Sequence, residues 1–174
     1  MLFRSQHPVT TQTSLSKTQI HSIIKALVKL KHPVVAIAPN SDAGHKAIFK
    51  ALKNASKKHN FKIFPSLPRS DYLGFLYNCG VLVGNSSSGI IEASFIGTPV
   101  VNLGIRQLHR EKGDNVIDVK NLKSEFIKKA ILLALRREKR HSMIYRTKNA
   151  SKKIVKTLKT IPLNNDLIEK KLSH

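Results

Sequence analysis

The run Gly84-Asn85-Ser86-Ser87-Ser88-Gly89-Ile90-Ile91-Glu92 sets three hydroxyls side by side between two glycines, with a carboxylate one helical turn further on. Small residues let backbone N–H groups converge, and serine hydroxyls add further donors, a combination suited to an anion such as a phosphate. Glu92 is an acceptor and fits the hydroxyls of a sugar. Past Gly97-Thr98-Pro99-Val100-Val101 comes Asn102-Leu103-Gly104-Ile105-Arg106, and its guanidinium is suited to clamp a phosphate or carboxylate. The chemistry this predicts is the seating of a phosphate beside a sugar. The run is neither a Walker loop, lacking Gly-Lys-Ser/Thr, nor a dinucleotide fingerprint, lacking Gly-x-Gly-x-x-Gly. Its plain structural alternative is a serine-rich turn capping an ordinary helix, with Glu92 merely answering the helix dipole.

The elements that must hold these residues alternate. The capping-box pattern Ser16-Lys17-Thr18-Gln19 predicts a helix start, with Ile20, Ile23, Ile24, Leu27 and Val28 on one face. Val34–Ala38 reads as a buried strand, and Pro39-Asn40-Ser41-Asp42 turns into a helix with Ile48, Leu52 and Ala55 inward. Phe61–Phe64 is a strand, and Ser70 is placed as the cap of a helix through Tyr77. Val81–Val83 is the strand before the serine run, which itself opens a helix from Ile90 to Ile96 stopped by Gly97. Val100–Leu103 and Val116–Val119 close the set of strands, followed by helices from Ser124 to about Arg137 and over Lys148–Thr160. This alternation predicts an α/β fold, a Rossmann-like parallel sheet with helices on both faces. His7, Asn40, Leu67, Ser86, Ser87 and Arg106 all follow strands, so they are expected along one edge of the sheet, where such folds bind ligands.

Composition bounds the partners. The net charge of +21 makes nucleic acid a candidate on charge alone, but the charge is unevenly placed. Residues 61–119, which hold the serine run, carry 5 Lys plus Arg against 5 Asp plus Glu. The excess lies at 1–60, with 10 against 1, and at 120–174, with 16 against 4, mostly on predicted helix surfaces. Lysine outnumbers arginine and no arginine–aromatic interleaving is present, so nucleic acid is not the expected partner. No stretch has the apolar length of a membrane span. The single cysteine, Cys79, excludes an internal disulfide and fits a reducing, cytoplasmic setting; placed beside a strand, it reads as a buried thiol. The eight histidines lack metal-ligand spacing, and neither a metal nor a cofactor is expected.

Taken together, the serine run resembles the hydrolysing UDP-N-acetylglucosamine 2-epimerases of the sialic-acid route. So do His7-Pro8-Val9-Thr10-Thr11, Pro39-Asn40-Ser41-Asp42-Ala43-Gly44, Gly97 through Glu111, Gly113-Asp114-Asn115-Val116, Ile144-Tyr145 and Lys156-Thr157-Leu158-Lys159-Thr160-Ile161. That family has two Rossmann-like domains facing across a cleft, the glycosyltransferase-B arrangement, and the chain looks like the second one. The resemblance implies that Ser86 and Ser87 bind the diphosphate and Glu92 the uridine ribose. It puts Arg106 near the phosphates or sugar, and His7 on the phosphate or glycosyl side. Asn40 and Leu67 would line the nucleotide pocket, Leu67 through its backbone. His7 and Arg106 are the catalytic candidates, acting on the leaving group. Proton transfer would fall to the absent N-terminal domain, so this piece is expected to bind UDP-GlcNAc or UDP without turnover, and the full-length protein to be a homo-oligomer.

Domain limits follow from the same comparison. Residues 1–6 read as a truncated start of foreign origin, because Met1-Leu2-Phe3-Arg4-Ser5 is what a sequencing-adapter string encodes. Residues 7–160 form the UDP-binding domain and 161–174 a tail helix. Two alternatives stay open: the donor-binding half of a glycosyltransferase of the same architecture, and an epimerase of the GDP-linked legionaminic-acid branch. A donor-site Glu with an Arg or Lys on another helix favours the former.

Overall fold

The computed structural model describes residues 1–145, 149–164 and 167. Its strands are β1 (Leu2–Ser5), β2 (Val34–Ile37), β3 (Phe61–Phe64), β4 (Val81–Gly84), β5 (Val100–Leu103) and β6 (Val116–Val119). Its helices are α1 (Ser16–Val28), α2 (His45–Ser56), α3 (Arg69–Asn78), α4 (Glu92–Ile96), α5 (Ser124–Leu135) and α6 (Ala150–Thr160). All six strands are parallel, in the order β3-β2-β1-β4-β5-β6. This is the doubly wound, Rossmann-like arrangement expected.

Side chains of successive strand residues point to opposite faces, so each strand feeds two cores. Leu2, Val34, Val81, Val83, Val101 and Leu103 pack with Ile23, Leu27, Ile127 and Ile131 of α1 and α5. Phe3, Val35, Leu82 and Val100 pack on the other face, with Leu76 of α3 and Ala93 of α4. Ile20, Ala36, Ile48 and Leu52 extend the first layer under α2. Leu2, Ile23, Leu27, Ile127 and Ile131 are wholly buried, and burial of each contributes about 1.5–3 kcal/mol.

Three expectations need correction. Residues 2–5, set outside the domain from the sequence, form the strand at its centre, paired with β2 on one side and β4 on the other. The sheet therefore begins ahead of the His7 boundary. Ser16 does not cap α1: a 3-10 helix over Thr10–Leu15 runs directly into it, and the Ser16 N–H already bonds Thr13 O. The Ser16 hydroxyl is buried without a partner among the described residues, and Gln19 bonds Gln12 Oε1 at 3.0 Å instead. Ser70 likewise lies inside α3, which starts at Arg69 after Pro68, and its hydroxyl bonds Asp71 Oδ1. Lys148 and most of the expected tail, residues 165, 166 and 168–174, lie outside the described residues.

Candidate functional site

The strand order reverses direction between β1 and β4, because the chain leaves β1 toward β2 and returns on the other side. At such a switch point the loops after the two strands part and leave a crevice at their carboxyl ends. His7 follows β1 there, and Asn85 and Ser86 follow β4. Gly84 makes the close approach possible. A Cβ on it would lie 1.8 Å from the Ser5 carbonyl oxygen, so only glycine fits.

Asn85 ties the edge together. Fully buried, it accepts a hydrogen bond from the His7 N–H at 2.8 Å and donates to the His7 carbonyl at 2.9 Å. Its own N–H bonds Ser5 O at 3.1 Å, and its carbonyl accepts from Arg106 Nη1 at 3.1 Å and Gln107 Nε2 at 2.9 Å. One residue thus holds the loops after β1, β4 and β5 in a single arrangement. Sequence reasoning missed both Asn85 and Gln107, since an asparagine before three serines reads as an ordinary turn residue.

His7 Nδ1 accepts from the Asn40 N–H at 3.2 Å, which leaves Nε2 as the donor of the neutral ring. Burial, and then the Arg106 charge, push the His7 pKa below its usual value, so the ring is neutral at pH 7. Asn40 is exposed, its side chain turned to Asp42 Oδ2 at 2.5 Å. Arg106 is exposed beyond its bond to Asn85. Beneath these groups Arg4 is completely buried, bonded to Ile37 O at 3.2 Å and Gln6 O at 3.5 Å, with Nε unpartnered among the described residues. Burial draws its guanidinium down to about 9.

The serine run differs from the expected helix start. Ser87–Gly89 is a single 3-10 turn capped by Ser86, and α4 proper is the five residues Glu92–Ile96. So short a helix carries little dipole, and the amides of Gly89, Ile90 and Ile91 are used within the turn. The donors that remain are the N–H groups of Ser86 and Ser87, without partners among the described residues, and the hydroxyls of these two half-buried serines. The seat is built from a turn, not from a dipole.

Glu92 stands apart from the His7–Arg106 group. It pairs with Arg69 of α3 at 3.7 Å and borders a 560 Å³ groove with Leu73, Tyr77 and Phe95. A Glu beside an Arg of another helix is the arrangement expected above to favour the glycosyltransferase reading. Leu67 is half-buried in the loop after β3, with β2 between that strand and β1. Five of the six strand-following residues, His7, Asn40, Ser86, Ser87 and Arg106, therefore sit about the β2–β1–β4–β5 edge; Leu67 lies at its margin. A larger cavity of 800 Å³, lined by Pro99, Gly113, Asn115, Arg136, Arg137 and Arg140, is at the opposite, amino end of β5 and β6.

Cys79 is buried and its thiol is pushed up to about 12 by burial, which removes it as a nucleophile. Among the described residues no His, Cys, Asp and Glu side chains form a metal-holding group, and no helix is long and apolar enough to cross a membrane.

The family model described as UDP-N-acetylglucosamine 2-epimerase matches residues 1–159. The chain belongs to that family. It is 35% identical over 165 residues to the UDP-N,N'-diacetylbacillosamine 2-epimerase (hydrolyzing) of Legionella pneumophila, covering 94% of this chain and 44% of that protein. It is 38% identical over 112 residues to the UDP-N-acetylglucosamine 2-epimerase of Neisseria meningitidis, covering 64% and 29%. This epimerase-family chain thus spans less than half the length of the relatives it matches. Among solved structures, Methanocaldococcus jannaschii UDP-GlcNAc 2-epimerase in complex with UDP-GlcNAc and UDP superimposes with a TM-score of 0.71 over 91% of this chain and 44% of the other. At 13% identity that likeness concerns the fold. Family membership weighs against the glycosyltransferase reading despite the Arg69–Glu92 pair.

Proposed function

We propose that the chain is the C-terminal, UDP-binding half of a hydrolysing UDP-N-acetylglucosamine 2-epimerase serving sialic-acid-type synthesis. The observation that carries this reading is the Asn85 hub, which holds His7 and Arg106 beside the Ser86–Ser87 donors at the sheet's switch point. The reaction removes the C2 proton and expels UDP from C1 to give a glycal, and water then adds with inverted C2 stereochemistry, yielding N-acetylmannosamine and UDP. Negative charge grows on the departing phosphate oxygen. A guanidinium, a neutral imidazole Nε2–H and two serine donors fixed beforehand stabilise it more in the transition state than in the ground state. The acid and base that handle the C2 proton come from the other half of the protein, which also closes the crevice. Ser86, Ser87 and Arg106 hold the diphosphate, His7 faces the leaving group, Glu92 takes the ribose once it leaves Arg69, and Asn40 and Leu67 border the base. The full-length protein is a homo-oligomer in this reading.

Calorimetry with UDP, uridine and GDP tests it. UDP is expected to bind well above uridine, and Arg106→Ala to weaken UDP far more than uridine, because a charge-assisted contact is worth about 1.5–3 kcal/mol. Uridine binding as tightly as UDP would contradict the phosphate seat. UDP-N,N'-diacetylbacillosamine is a second candidate substrate, favoured by the Legionella relative, whose match extends over 94% of this chain. Turnover of the two UDP sugars by a protein with the N-terminal half restored separates them.

A further inference from the structure

The serine turn carries a chain of hydroxyls that begins outside it. Tyr72 of α3 is held with its ring against Phe3, centroids 5.1 Å apart, and its hydroxyl meets Ser88 Oγ. Ser88 is buried, and its hydroxyl donates to Ser86 Oγ at 3.0 Å. The Ser88 N–H also reaches Ser86 Oγ, at 3.4 Å.

The direction of the Ser88–Ser86 bond sets the proton count along this chain. A serine hydroxyl has one proton and two lone pairs. Ser88 spends its proton on Ser86, so Tyr72 donates to Ser88 and accepts from its other partner, the Ser5 hydroxyl. Ser86 Oγ receives two hydrogen bonds, which occupy both lone pairs, and its single proton has no acceptor within the turn. We infer that Tyr72 is a positioning residue that fixes the Ser86 hydroxyl as an outward donor, so that the turn accepts a phosphoryl oxygen and discriminates against a ligand group that must itself donate. Burial raises the Tyr72 pKa, which keeps the phenol proton in place at neutral pH. The inference rests on the UDP-site reading above and adds its polarity.

The test is a double-mutant cycle on the full chain with UDP and uridine as probes. Tyr72→Phe keeps the ring packing and removes the relay. It is expected to weaken UDP about tenfold and leave uridine within twofold. Ser86→Ala is expected to cost UDP a similar factor, and adding Tyr72→Phe to it to cost nothing further, because the two act through one proton. Unchanged UDP affinity in Tyr72→Phe, equal losses for UDP and uridine, or additive losses in the double mutant would overturn the inference. Hydrogen exchange of the Ser88 amide supplies a reading without ligand. Faster exchange in Tyr72→Phe supports the relay and unchanged exchange contradicts it, even if the wild-type chain binds no UDP and the proposed function itself fails.

Discussion

Arg4→Met should make this protein more stable. Arg4 stands in the central strand with no exposed surface and no carboxylate partner among the described residues. Burial draws its guanidinium down to about 9, a penalty of roughly 5 kcal/mol on the charged form. Against this stand its two hydrogen bonds, to Ile37 O and Gln6 O, each worth about 1.5 kcal/mol to a charged donor. Methionine matches the length of the chain, buries apolar atoms and needs no partner. The net expectation at pH 7 is a gain of about 2 kcal/mol, or roughly 6 °C in Tm for a chain of this size. The unfolded state binds the Arg4 proton more tightly than the folded state, so wild-type stability should rise as pH climbs above about 9, and the Met variant should lack that rise. Thermal and urea melts of both proteins at pH 7 and pH 10 measure this. A Tm lowered by several degrees in Arg4→Met at pH 7 would refute the reasoning, because the guanidinium would then be a net contributor.

Gly84→Ala should cost more than 4 kcal/mol, on the order of total unfolding, because its Cβ would collide with the Ser5 carbonyl across the strand pair; soluble yield and circular dichroism report it. His7 is depressed by burial and by Arg106, so its share of stability should be present above pH 6.5 and be lost as pH falls through the lower folded value. His7→Gln should flatten that acid limb in urea melts between pH 7 and 4.5. Glu92→Gln should weaken UDP and uridine alike in calorimetry, because the ribose is common to both; a loss confined to UDP would remove Glu92 from the ribose.

Much of this fold was legible because its strands are short apolar runs bounded by turn residues. Phe61–Phe64, Val100–Leu103 and Val116–Val119 match expectation at both ends. β1 was not legible: Arg4-Ser5-Gln6 is polar yet buried, a pattern contrary to that of a central strand, and only the topology demands a strand there. Ser16 and Ser70 fit capping patterns, but a preceding 3-10 helix and a proline had already set the helix starts. At the site, His7, Asn40, Ser86 and Arg106 could be gathered from strand ends alone. The roles of Asn85 and Tyr72 could not, because each depends on a partner distant in sequence: Asn85 on His7, 78 residues away, and Tyr72 on Ser88, 16 away.

The central claim is that the diphosphate of a UDP sugar sits at the β1–β4 switch point. A crystal structure of the chain with UDP tests it most directly. The β-phosphate is expected within hydrogen-bond distance of Ser86 Oγ and the Arg106 guanidinium, with the His7 imidazole alongside. Diphosphate found instead in the 800 Å³ cavity lined by Arg136, Arg137 and Arg140, with the serine turn empty, would contradict it.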